Sequence, residues 1–260
     1  MLRSLYSGVS GMKNFQTKLD VIGNNISNVN TIGYKKSTIQ FQDLLSQNLS
    51  SSGVNPMQVG LGSTTSAITV QHTAGSLMFT GVGTDLAIIG DGFFTVENPT
   101  GGAPYLTRSG NFAVDDEGFL VTQQGHYVLD NGNPPSRINV KVKDGVEYSS
   151  FSINRNGEII GKLADGTEDP NPIATLQVLT VPNPSGLSKA GGSYYQATVQ
   201  SGAAVAAENF QVSSGQLEMS NVDLTEEFTE MIIAQRGFQA NSRTITTSDE
   251  ILQEVVNLKR

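Results

Sequence analysis

Few residues of this chain have the types and spacing that chemistry requires. His72 and His126 are its two histidines, and neither stands in a cluster with the spacing of metal ligands. Cysteine is absent, which removes thiolate nucleophiles, zinc–thiolate sites and disulfides. No Gly-x-Ser-x-Gly elbow and no phosphate-binding loop occurs. Asp115, Asp116 and Glu117 put three carboxylates in a row, the makings of an acid–base pair or a calcium loop. Gly118 directly after them makes an acidic turn the simpler reading. Lys35 and Lys36 are the one adjacent basic pair before Lys259-Arg260, and they read as a solvated helix end. No catalytic, cofactor-binding or metal-ligating residue is expected, and the chain does not read as an enzyme.

Charge narrows the partners. Sixteen basic residues against 24 acidic ones leave a formal net charge of −8. The basic residues are scattered, so no nucleic-acid partner is expected, because phosphate binding needs clustered Lys and Arg. Residues 1–25 carry Arg3, Lys13 and Lys18 without an unbroken apolar run, so a cleaved secretory signal is not expected. Nothing approaches the ~20 apolar residues that span a bilayer, and no membrane insertion is expected.

The elements that would position any surface are clearer. The nine prolines all fall between positions 56 and 184, which marks helical ends around a turn-rich middle. At the N-terminus, Leu2, Leu5, Val9, Met12, Phe15, Leu19, Ile22, Ile26 and Val29 recur every three or four residues, a narrow coiled-coil-type stripe with one slip at Met12–Phe15. At the C-terminus, Leu224, Met231, Phe238, Ile245 and Leu252 recur every seven, interleaved with Phe228, Gln235, Ser242, Asp249 and Val256. Asp223 followed by Glu226 reads as an N-cap with its capping-box partner. A helix over 223–258 would be a rod of roughly 54 Å.

Between these ends, residues 42–85 are rich in Ser, Gly, Thr, Asn and Gln and read as an extended linker with little regular structure. Short β-type runs follow: Leu86–Ile89, Phe93–Val96, Phe112–Val114, Phe119–Thr122, Tyr127–Leu129, Ile138–Val142, Phe151–Ile153, Leu176–Val181 and Tyr194–Ala197. Gly90-Asp91-Gly92, Asp116-Glu117-Gly118, Asp130-Asn131-Gly132, Asp144-Gly145, Asn156-Gly157 and Asp165-Gly166 supply the turns. The expectation is an α+β chain: long terminal helices paired in a coiled-coil-like arrangement, with a central all-β domain looped out between them. The boundaries are 1–32 for the N-terminal helix, 33–85 for the linker, 86–205 for the β domain, 206–220 for the return and 221–260 for the C-terminal helix. Gly8, Gly11 and Gly23 each weaken the first helix by about 0.8–1 kcal/mol. Such a helix needs burial to persist, and Ser7, Gly8 and Gly11 either permit close approach of a neighbour or leave a frayed start.

Several of these segments also resemble a known family. Ser7-Gly8-Val9-Ser10-Gly11 with the run from Leu19 to Lys35 is similar to the N-terminal signature of flagellar rod and hook axial proteins. Glu218 to Leu224 and Gln235 to Arg243 resemble the C-terminal signature, and Asp85 to Phe94 and Thr107 to Phe112 resemble the β domain. The resemblance implies subunits exported through the flagellar type III apparatus without signal cleavage. They would stack into a hollow helical tube, meet other axial, junction and cap proteins, and work in the extracellular hook or the basal body. Within the family the expectation is the hook subunit, a flexible joint transmitting torque from rod to filament, with the straight distal rod as the alternative. A secreted glycan-binding β protein is the alternative from another class. The self-assembly residues expected are Leu5, Val9, Met12, Phe15, Leu19, Ile22, Ile26, Val29, Leu224, Phe228, Met231, Phe238, Ile245, Leu252 and Val256.

Overall fold

A computed structural model describes residues 2–50, 57–98, 103–132, 134–143, 146–163, 167, 169, 171–207 and 210–258. Among these, helix α1 (Leu2–Ser27) and helix α2 (Leu224–Leu258) flank a strand-rich middle, an α+β arrangement. The chain divides into two compact units, one built from Met1–Asn28, Lys36–Gln71 and Val222–Arg260, the other from Val29–Lys35 and His72–Asn221.

The first unit holds both helices. They run antiparallel: Gly8 lies against Ile245, Gly11 against Asn241, and Gly237 against the Phe15 ring. A methyl group added at Gly11 would lie 2.7 Å from the Asn241 side chain, and one at Gly237 would lie 2.5 Å from Phe15. The glycines therefore bring the backbones close. Lys18 pairs with Glu230, and the Asn25 amide donates to Glu227 Oε2 at 3.1 Å. Asp223 caps α2 as expected, its Oδ1 accepting from Thr225 N at 2.8 Å. Glu226 does not complete a capping box; its carboxylate accepts from Lys36 Nζ at 2.7 Å. Farther along α2, the Thr244, Thr247 and Ser248 hydroxyls donate to carbonyls one turn back, at 3.1, 3.0 and 2.7 Å.

Two expectations change in this unit. Helix α1 ends at Ser27, where Asn24 and Asn28 side chains take up local hydrogen bonds, so Val29 lies beyond the stripe it was assigned to. Residues 36–71 are not a structureless linker. Ser37–Asp43 and Ser63–Val70 pair antiparallel, with Ser37 opposite Val70 and a bulge between Gln40 and Phe41. The physical reason is Thr and Ile at Thr38, Ile39, Thr64, Thr65, Ile68 and Thr69: β-branched residues favour strands even when their neighbours are polar.

The second unit is antiparallel β. Its main sheet has the order Ser188–Gly191, Tyr194–Gln196, Tyr105–Thr107, Phe93–Val96, Val178–Thr180, Val205–Ala206. Leu86, Phe94, Val96, Leu120, Ile138, Ile159 and Leu176 fill its core. Asn156-Gly157 closes a hairpin as expected, with Gly157 at φ +79°. Asp115 to Gly118 is a turn, Gly118 N donating to Asp115 O at 2.8 Å. Tyr127–Leu129 and Asn139 make isolated bridges rather than ladders, while Val142 opens a short strand paired with Val146–Glu147. Ile138 and Val140 are nevertheless buried. The expected return segment contains strands Phe210–Ser214 and Gln216–Glu218, which pair with Leu86–Gly90 and Leu77–Phe79. The turns expected at Asp144-Gly145 and Asp165-Gly166 lie outside the described residues.

Candidate self-assembly surface

Helix α1 turns Ile22 fully inward and leaves Leu5, Met12, Phe15, Leu19 and Ile26 half-buried. Val9 is 51% exposed. On α2, Met231, Ile245 and Leu252 are half-buried, while Leu224, Phe228, Phe238 and Val256 are exposed, the last two at 36% and 62%. The predicted residues are therefore not brought into one buried seam within the chain. Positions 227, 234 and 248 are the buried ones on α2, and they are Glu, Ala and Ser. With half-buried Asn241 they form their own seven-residue series, offset from the apolar one. At Gly8, Gly11 and Gly237 the absent side chain makes room for Ile245, Asn241 and Phe15 of the facing helix, and the other large apolar side chains of α2 lie away from this contact.

One flank forms a ridge that heptad reasoning missed in part. Leu224, Phe228 and Ile232 follow at four-residue spacing, all exposed; Ile233, Ile251, Val255 and Val256 are also exposed, on other faces of α2. Side chains four apart share a helix face, so an i, i+4 count would have found Ile232 and Val255. An exposed apolar row of this kind is the candidate self-assembly surface.

Lys35 corrects a second expectation. It is not a solvated helix end: it is fully buried, its ammonium 2.6 Å from Glu218 Oε1 and 2.7 Å from the Thr73 carbonyl. Arg108 approaches Glu218 Oε2 at 3.3 Å and lies over the Phe93 ring at 5.3 Å. Burial pulls the Lys35 ammonium below the ordinary lysine range, against the hydrogen bond and charge of Glu218, while Arg108 adds to the lowering. His72 packs edge-on against Phe93 and Tyr195, at centroid distances of 5.5 and 5.1 Å. The one sequence signal for this cluster was a charge, Glu218, set between Leu217 and Met219.

Three family profiles match the chain. One described as flagella basal body rod protein covers residues 5–35, one described as flagellar hook protein FlgE/F/G D1 domain covers 87–161, and one described as flagellar basal body rod FlgEFG protein C-terminal covers 213–258. The chain belongs to the family of flagellar rod and hook axial proteins, which are structural proteins and not enzymes. It is 49% identical to the flagellar basal-body rod protein FlgG of Bacillus subtilis (strain 168) over 276 residues, covering all of both chains. It is 36% identical to FlgG of Borreliella burgdorferi over 274 residues, again covering all of both. The flagellar hook protein FlgE of Borreliella burgdorferi is 27% identical over 445 residues, covering all of both.

Proposed function

We propose that this chain is a distal rod subunit of the flagellar basal body, polymerising with copies of itself into a straight hollow helical tube. The observation that carries this is the match to rod proteins from end to end at nearly equal length. The hook relative reaches full coverage only over a much longer alignment, so the rod alternative is better supported than the hook expected from the sequence. Copies would meet along the exposed ridge of α2 and the stripe of α1, which accounts for Leu224, Phe228, Phe238, Val256 and Val9 lying uncovered in a single chain. The paired helices of neighbouring copies form a coiled-coil-like layer. The helices of a free subunit are held weakly until neighbours cover them. Delivery through the type III apparatus, and contact with junction and cap proteins, are part of the role proposed here.

Electron microscopy of basal bodies purified from cells that express the protein tests this. Straight tubes labelled by antibody to this chain are expected; label confined to curved hooks would return the hook reading. Amide exchange on the free subunit tests the helices: strong protection throughout residues 5–27 would show that they need no neighbour.

A further inference from the structure

Three stretches carry the chain across the boundary of the β unit four times: residues 29–35, which enter and leave, the stretch that enters at His72, and the one that leaves at Asn221. All three meet at Glu218. Gly33 N donates to the Glu218 carbonyl at 2.8 Å, and Lys35 Nζ donates to its Oε1 at 2.6 Å. Gly75 N donates to the same oxygen at 3.0 Å, and Arg108 Nη1 to Oε2 at 3.3 Å. The next residue, Met219, donates its amide to Ser76 O at 2.9 Å.

The backbones around this point are packed as tightly as glycine allows. A methyl group at Gly75 would lie 2.0 Å from the Met219 carbonyl oxygen, and one at Gly33, where φ is +67°, would lie 2.6 Å from Ser109 N.

The charges make this arrangement conditional. Lys35 and Arg108 are buried, and among the described residues Glu218 is the carboxylate that both of them bond. Leaving buried cations without their carboxylate is strongly unfavourable. Glu218 lies 183 residues after Lys35 and 110 after Arg108, so it is the last of the group to be synthesised.

We propose that Glu218 is a completion latch: the β unit closes only when the C-terminal stretch delivers this carboxylate to Lys35 and Arg108, so an incomplete chain keeps the unit open. The latch follows from contacts within the β unit and does not depend on the rod assignment. Its consequence is that the 72–221 region of a chain still emerging, N-terminus first, remains threadable until residue 218 appears.

Native-state amide exchange on the full chain tests it. In Glu218→Gln, the amides of Gly33 and Gly75 and those of the sheet, Thr95 and Leu129, are expected to lose protection together by about 100-fold or more, while Ala234 in α2 keeps its own. Loss at Gly33 and Gly75 with the sheet amides unchanged would reduce Glu218 to a local clamp and overturn the proposal. A second variant covers the case in which Glu218→Gln does not fold. Lys35→Met, Arg108→Met and Glu218→Leu together remove the charges, and sheet protection should return to within about tenfold of the parent. A triple variant as unprotected as Glu218→Gln would show that charge neutralisation is not what closes the unit.

Discussion

At the scale of single residues, the glycines of α1 and α2 separate by what surrounds them. Gly237 faces the Phe15 ring at a distance no added methyl tolerates. Gly237→Ala gains about 1 kcal/mol of helix propensity and loses about 1–3 kcal/mol to overpacking. A net destabilisation of about 1 kcal/mol is expected in chemical denaturation. Nothing lies within 4 Å of a methyl at Gly23, so Gly23→Ala should stabilise the free chain by up to about 1 kcal/mol. A Gly237→Ala variant stabilised as much as Gly23→Ala would mean that the helices do not approach as described. His72 supplies a pH dependence. Burial, with the charges of Lys35, Arg108 and Lys189 adding to it and a weak contact with the Pro184 backbone opposing it, brings its pKa down to about 4. Neither ring nitrogen has a hydrogen-bond partner among the described residues; Phe93, Tyr195 and the Lys35–Glu218–Arg108 cluster surround it. The unfolded imidazole titrates near 6.5, so between these values the unfolded chain binds more protons. The stability contributed by the neutral ring is complete above about pH 6.5 and drains as pH falls toward 4. His72→Phe keeps the ring contacts without titrating; its thermal midpoint should fall less than the parent's between pH 7 and pH 4.5, and parallel falls would exclude His72.

At the scale of elements, the exposed ridge of α2 should matter to assembly and little to the free chain. Phe228 is half exposed, so Phe228→Asp costs little in the monomer, within about 0.5 kcal/mol. Between copies, however, it would bury an unpaired charge. Sedimentation is expected to show monomer at concentrations where the parent forms tubes, with unchanged thermal unfolding; tubes of normal length from this variant would remove the ridge from the interface. Met231→Asp, at a half-buried position, should lower both. The two long helices were legible in the sequence because proline was excluded from both ends and apolar residues recurred at helical spacing over more than five turns. The face that α2 turns toward α1 was not, because Glu227, Ala234, Asn241 and Ser248 carry no hydrophobic signal. Glycine on the opposing helix decides that contact. The strands of 37–70 were hidden for a related reason: Thr and Ser read as loop when their neighbours include Gly and Asn. Lys35 was misread because a buried charge is recognisable only once its partner, 183 residues away, is known.

At the scale of the whole molecule, a formal charge of −8 per chain opposes the stacking of many copies. Raising ionic strength from about 0.01 to 0.15 M shortens the screening length from about 30 to 8 Å, so the lag before tube formation should shorten in light scattering. A lag insensitive to salt would mean that apolar contact alone governs nucleation. One local feature then bears on the finished tube. Hydroxyls that bond back to carbonyls one turn earlier compete with the main-chain ladder and let a helix bend. In α2 they cluster at Thr244, Thr247 and Ser248. In the proposed tube, torque would collect deformation there more than elsewhere in α2, where Thr229 makes an isolated bond of the same kind, and that stretch would give and recover like a torsion spring.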